Sequence, residues 1–397
     1  MKSIVELIKR EKEPEHDKEY VNKLKNHKYK KLKRNLIIVA VIVIAFIGVY
    51  LYNLNKTYDD YSIDENILSG DTTKFKFYEY GEYYLRYSDD GLACMYGSET
   101  IWNQAFEMKQ PLIDICKDYV AIAEQRTNTI YIFNKEGLQG KIKTSYPIIN
   151  IEVANQGVVA AITEEKDTNN IELIDKNGTL LARGQTVLSG DGCPIDISLS
   201  EDGTKLVVSY LYVSGGITQT RVVFYNYSEV GKNEVDRIVG GFNQYKTTIV
   251  PKVEFVTNDI AVAFGDDMLT IYSIKQKPSI LKEFELEREV RSIFYNEKYI
   301  GLVFEPENLD NPYIANIYNL DGDIVFNGEI TLEYNNIKID GNNLLIYNDD
   351  TFIVQTVKGN EKFKKDIEEN IKDVIGFEGG YTYILVTSES IDKIKLK

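Results

Sequence analysis

Histidine is scarce in this chain: two among 397, His16 and His27, both ahead of the longest apolar run. Beyond residue 55 there is therefore no Ser-His-Asp or Cys-His nucleophile pair and no His-ligated zinc, copper or iron. Cysteine is nearly as sparse. Cys94, Cys116 and Cys193 form an odd set that cannot be a disulfide framework. Cys94 and Cys116 sit within apolar strand patterns, where buried inert thiols are expected. The single tryptophan, Trp102, excludes a quinone cofactor held on a set of tryptophans. Glycines follow no phosphate-cradling or dinucleotide spacing; Ser214-Gly215-Gly216 and Val239-Gly240-Gly241 read as loops between strands. No cofactor is expected.

What is present begins with LIIVAVIVIAFIGVYLYNL, Leu36 to Leu54, preceded by Lys28, Lys30, Lys31, Lys33 and Arg34. A helix of about 20 apolar residues at about 1.5 Å rise matches a hydrocarbon core of about 30 Å. The run is longer than a signal-peptide core and ends in Val49-Tyr50-Leu51-Tyr52, with no small-residue cleavage site. Charge asymmetry places residues 1–35 in the cytoplasm and the remainder outside the cell membrane. The expected organisation is a basic tail over 1–35, a single transmembrane helix over 36–54, a linker over 55–70 and a large domain over 71–397. The five basic residues before the helix are expected to meet anionic lipid.

Residues 1–35 hold 12 basic and 6 acidic side chains, so the net charge of −15 for the whole chain leaves −21 on the rest. Such an acidic domain excludes a nucleic-acid partner, which needs clustered Lys and Arg for phosphate.

One phrase recurs along the domain: an alternating apolar strand followed by a polar turn. It appears as GLACMYGSE (91–99), TIYIFNKEG (129–137), NIELIDKNG (170–178), TRVVFYNYSEVG (220–231) and MLTIYSIKQ (268–276). It continues as IANIYNLDG (314–322), TFIVQTVKG (351–359) and ESIDKIKLK (389–397). The spacing is that of a four-stranded propeller blade. Eight copies predict eight blades, and the weakness of the first leaves seven open, with an inner strand drawn from about Asp60 to Leu68. The fold class is thus all-β, a seven- or eight-bladed β-propeller. KFKKDIEENIKD (362–373) is the one ambiguous helical pattern.

ISLSEDGTKLVVSYL (197–211) resembles the turn phrase of WD-repeat and TolB-like propellers, with Glu201 in place of the usual proline. GSETIWNQAF (97–106) resembles the repeat phrase of quinoprotein-like propellers, though it occurs once. The layout of basic tail, anchor and degenerate propeller is similar to an uncharacterised family of Gram-positive single-pass membrane proteins. That resemblance implies a fold and no chemistry.

Carboxylate chemistry survives the absence of histidine, since a glycosidase needs only two Asp or Glu. No pair stands out, because most acids fall in turns such as Asp175, Asp321 and Asp349-Asp350. Ser200 to Thr204 only faintly echoes a sialidase Asp box and lacks its Trp. Asn319 to Asp323 and Gly265 to Asp267 lack the full calcium-loop pattern and read as hairpin turns. No catalytic, cofactor-binding or metal-binding residue is singled out. The expected function is a membrane-anchored module that binds an envelope protein or glycan. The alternatives are a carboxylate enzyme acting on cell-wall carbohydrate, or a transmembrane sensor. Gly48 stands alone in the apolar run, so no dimerisation motif supports the last.

Overall fold

Every recurring phrase is the third strand of a blade. In the computed structural model, which describes residues 15–308 and 311–397, the described residues form eight four-stranded antiparallel sheets. Blades 1 to 7 span 76–105, 111–143, 148–187, 193–242, 252–285, 290–330 and 336–366, each running first to fourth strand in chain order. Blade 8 takes three strands from 371–396 and its fourth from Tyr61–Ser69. The eight-bladed reading holds. The inner strand expected near 60–68 is instead the outermost, paired with Ser390–Leu396 from Tyr61↔Leu396 to Ser69↔Ser390. The inner place in that blade is already filled by Ile371–Glu378. KFKKDIEENIKD is two strand segments joined by a turn, and Val239-Gly240-Gly241 lies inside the outer strand Ile238–Phe242 rather than in a loop.

The core lies between blades rather than within one. Among the described residues there are eight buried apolar clusters, and each draws on two neighbouring blades. One joins Ile132 and Ile142 of blade 2 to Ile151 and Val159 of blade 3, and another closes the ring through Tyr84 of blade 1 and Ile384 of blade 8. Both faces of most strands are thereby covered, which explains why third strands read as nearly continuous apolar runs. In blades 1 to 7 the third and fourth strands slip register by one residue shortly before the polar turn, as at Leu173/Ile174 and Ile271/Tyr272. Such a bulge adds twist and bends the outer strand away from its neighbour.

The turns behave as their residues dictate. In blade 4, Asp202 Oδ1 accepts from the Ser200 and Thr204 hydroxyls, and Gly203 takes the positive φ of 66° that closes the turn. Asn319 Oδ1 accepts from the backbone N–H groups of Asp321 and Asp323, so this segment is a hairpin turn.

Ahead of the propeller, the described chain forms one helix, Glu15–Asn55, in a separate unit that ends at Thr57. Among the described residues no helix is long and apolar enough to cross a membrane. The run Leu36 to Leu54 falls within this helix, but the side chains of 47 and 49–54 lie outside the described residues, as do residues 1–14 of the expected tail.

Candidate functional site

The inner strands of the blades enclose an axial channel with two lobes of about 760 and 580 Å³, which share Glu79, Asp114, Ile115 and Tyr295. An acid flanked by apolar residues recurs on these strands: Tyr78-Glu79-Tyr80, Ile113-Asp114-Ile115, Ile151-Glu152-Val153, Ile195-Asp196-Ile197 and Val253-Glu254-Phe255. Alternation along a strand sends the flanking residues to the blade interfaces and the acid to the other face. Blades 7 and 8 add Lys338, Asp340 and Asp373. With Glu378, eight carboxylates thus share the inner strands with Lys76, Lys252, Lys338, Lys372 and Arg291. This repeated apolar-acid-apolar phrase is visible in the sequence, but it identifies axial residues only once the first strand of each blade is known.

Two of the lysines, Lys252 and Lys338, are already engaged. Lys252 Nζ lies 3.0 Å from Glu254 Oε2 and 3.5 Å from Asp196 Oδ2. Lys338 pairs with Asp373, whose Oδ1 also accepts the Tyr347 hydroxyl at 2.6 Å. Tyr295, from blade 6, donates to Glu254 at 2.9 Å. Two acids bind the next blade's backbone: Asp114 accepts from Val153 N–H at 2.6 Å, and Asp196 from Val253 N–H at 2.8 Å.

Burial in this wall decides the protonation of several groups. It raises Glu79 to about 7 against the pull of Lys338, and Asp114 to about 6. Glu152 is pushed well above the carboxylate range, by burial first and then by Asp114. Asp196 and Asp340 are raised by burial. Burial alone would lower Lys252, but Glu254 and Glu152 hold its ammonium protonated above the usual range. The wall therefore offers both carboxylates and neutral carboxyls, acceptors and donors, to a group entering the channel. Among the described residues, no group of three or more His, Cys, Asp or Glu side chains could hold a metal ion.

Lys28, Lys30, Lys31, Lys33 and Arg34 lie together on the helix Glu15–Asn55, all exposed. Of the thiols, Cys94 is buried, Cys116 is half-buried in the channel wall and Cys193 is exposed; none is in a disulfide. Burial pushes Cys94 and Cys116 to about 12, as suits inert thiols. Trp102 is a packing residue. Its ring stacks on Phe133 at 4.9 Å, and its Nε1 donates to the Asn134 carbonyl at 2.9 Å, binding blade 1 to blade 2.

The chain is similar to Sqt1 of Chaetomium thermophilum, in a structure bound to the N-terminus of ribosomal protein L10. Identity there is 9%, TM-score 0.53, with 85% of this chain and 100% of that chain covered. The Pan2 WD40 domain of Neurospora crassa matches at 8% identity and TM-score 0.44, covering 86% of this chain and 95% of that one. These likenesses concern fold alone. No curated protein matches the sequence. Residues 54–396 match a family of unknown function, DUF5711, and the chain belongs to that family.

Proposed function

We propose that this chain is a membrane-anchored, extracytoplasmic binding module whose axial mouth receives a cationic group of an envelope protein or glycan. The observation that carries the reading is the acidic excess of the smaller lobe, lined by Glu79, Asp114, Glu152, Glu201, Glu254 and Glu297 against Lys117 and Lys298, with Lys117 already paired to Glu297. A basic side chain or amino group entering the channel gains charge-assisted hydrogen bonds that the wall's own cations leave unfilled. The anchor is supported by the apolar run Leu36 to Leu54 and by the basic residues Lys28 to Arg34 that precede it. The sign of that asymmetry puts the propeller outside.

In-cell crosslinking of the full-length protein, followed by mass spectrometry, tests the partner. Recovery of a stoichiometric envelope protein, reduced in a Glu254→Gln, Asp114→Asn double variant, supports the reading; recovery unaffected by those changes overturns the axial site. Cys193 tests the topology, because it is the exposed thiol. A membrane-impermeant maleimide labels it in intact cells if the propeller is outside, and only after lysis if it is not.

A second reading rests on Glu79 and Asp114 in one channel: Glu79, raised to about 7, is partly protonated near neutral pH as a general acid requires, and Asp114, raised to about 6, is mostly ionised there as a base requires. Turnover of cell-wall oligosaccharide that vanishes in Glu79→Gln and Asp114→Asn would make the channel catalytic.

A further inference from the structure

The outer strands of blades 3 and 4 leave a gap. Two connected hollows of about 300 and 250 Å³ share Gly184, Tyr225 and Asp236, and run along the fourth strand of blade 3, Leu180–Val187. The gap exists because its floor lacks side chains. A Cβ on Gly184 would meet nothing within 4 Å, and one on Gly241 would touch its nearest neighbours only at 3.9 Å. Tyr225 lines both hollows, and Leu181 and Ile238 stand on the rim, 51% and 39% exposed.

The groove lining carries three arginines and three acids, so it is neutral where the domain as a whole is strongly negative. Only seven arginines occur after residue 55, at 86, 126, 183, 221, 237, 288 and 291, and three of them line this groove. Arg183 is held by Ser145 at 2.6 Å and Glu172 at 2.5 Å. Arg221 donates one Nη2 bond to the Asp191 carbonyl at 2.6 Å and lies 5.5 Å from the Tyr212 ring, while its buried Nε has no partner among the described residues. Arg237 meets no ion-pair partner among the described residues. It follows Asp236 in a left-handed pair, with φ of 64° and 53°, a backbone that non-glycine residues adopt at a cost. The facing acids are Asp191, whose carboxylate accepts Val187 N–H at 3.0 Å, Glu234, paired with Lys277 at 2.7 Å, and Asp236.

We propose that the groove between blades 3 and 4 docks an extended peptide segment that sets a carboxylate beside an apolar side chain. The glycine floor gives a main chain close approach to the sheet, Leu181 and Ile238 take the apolar side chain, and Arg237 with Arg221 takes the carboxylate as arginine does best, through paired N–H donors. A neutral glycan would not use the arginines, and a basic segment would leave the buried Arg221 Nε donor unmet. The site is separate from the axial channel and independent of what binds there.

The test is fluorescence anisotropy of the full-length protein in detergent micelles with labelled ten-residue peptides of alternating Leu and Asp, Leu and Asn, or Leu and Lys. The Leu/Asp peptide should bind at least tenfold more tightly than the Leu/Asn peptide, despite the domain's net negative charge. Gly184→Leu fills the floor and should weaken binding tenfold or more. Arg237→Gln, a change at a loop residue, should abolish the preference for Asp over Asn. Glu79→Gln, in the channel, should change neither. Equal binding of the Leu/Asp and Leu/Asn peptides, or Leu/Asp binding that survives both groove variants, overturns the proposal. So does capture of polygalacturonate in the groove without capture of peptide.

Discussion

Asp114, on the innermost strand of blade 2, accepts the backbone N–H of Val153, on the innermost strand of blade 3, at 2.6 Å. One oxygen thereby gives that side chain a structural duty as well as a place in the channel. Asp114→Asn preserves an acceptor and should change the unfolding free energy measured in urea by less than about 1 kcal/mol. Asp114→Leu leaves the Val153 N–H buried and unmet and should cost about 1–3 kcal/mol. Equal effects of the two variants would mean that charge, and not the inter-blade bond, is what this position supplies.

Glu79 links stability to pH with a definite sign. The unfolded carboxyl titrates near 4.3, and burial raises the folded one to about 7. Between these values the folded chain binds the extra proton, so stability is full below about pH 4 and is lost as pH rises through 7. Asp114, raised to about 6, contributes with the same sign. Water in the channel relieves part of the penalty, so a loss of about 1–2 kcal/mol is expected for Glu79. Unfolding free energies measured from pH 5 to 8 should therefore fall in the parent and fall less in Glu79→Gln. Parallel curves would assign the wall a more solvated environment.

Trp102 offers an optical reading of one blade interface, since no other tryptophan contributes. Stacked on Phe133 and bonded to Asn134, it should emit blue-shifted light that moves red on unfolding. Trp102→Ala removes the stack and the hydrogen bond from a half-buried site and should destabilise by about 2–4 kcal/mol. Trp102→Phe keeps the stack and should recover more than half of that loss. No recovery would place the energy in the indole N–H.

Much of the fold was legible because its period is carried by third strands. TIYIFN, NIELI and TFIVQT bury both faces between blades, so each reads as an apolar run that ends in an obligatory turn. The outer strand Tyr61–Ser69 was less legible. Its sequence, YSIDENILS, is largely polar because one edge and much of one face meet solvent. Nothing local says that it pairs across more than 300 residues with Ser390–Leu396. The axial acids were present as a repeated phrase, yet a single acid in a strand is ordinary. Only closure of the ring brings Glu79, Asp114, Glu152 and Glu254 to one channel. The groove at Gly184 was invisible, because it is a side chain's absence at one blade junction.

Closure itself can be tested by removing the strand that performs it. Tyr61–Ser69 pairs with Ser390–Leu396, Asn66 Nδ2 donates to Asp392 Oδ1 at 2.7 Å, and Gly70 N–H donates to the Glu389 carbonyl at 2.7 Å. Ile67 and Leu68 pack against the apolar cluster joining blades 8 and 1, and Tyr61 against the one joining blades 7 and 8. A deletion through residue 57 removes only the helical unit, and the propeller should keep its melting temperature. A deletion through residue 70 bares the edge of Ser390–Leu396 and uncovers two clusters. An open edge of that length is a template for pairing with a second chain. The longer deletion should therefore elute as dimers or aggregates on gel filtration and melt at least 10 °C lower, and a synthetic peptide of residues 58–70 should restore the monomer. A monomeric product with an unchanged melting temperature would show that the seven complete blades hold the ring without its N-terminal strand.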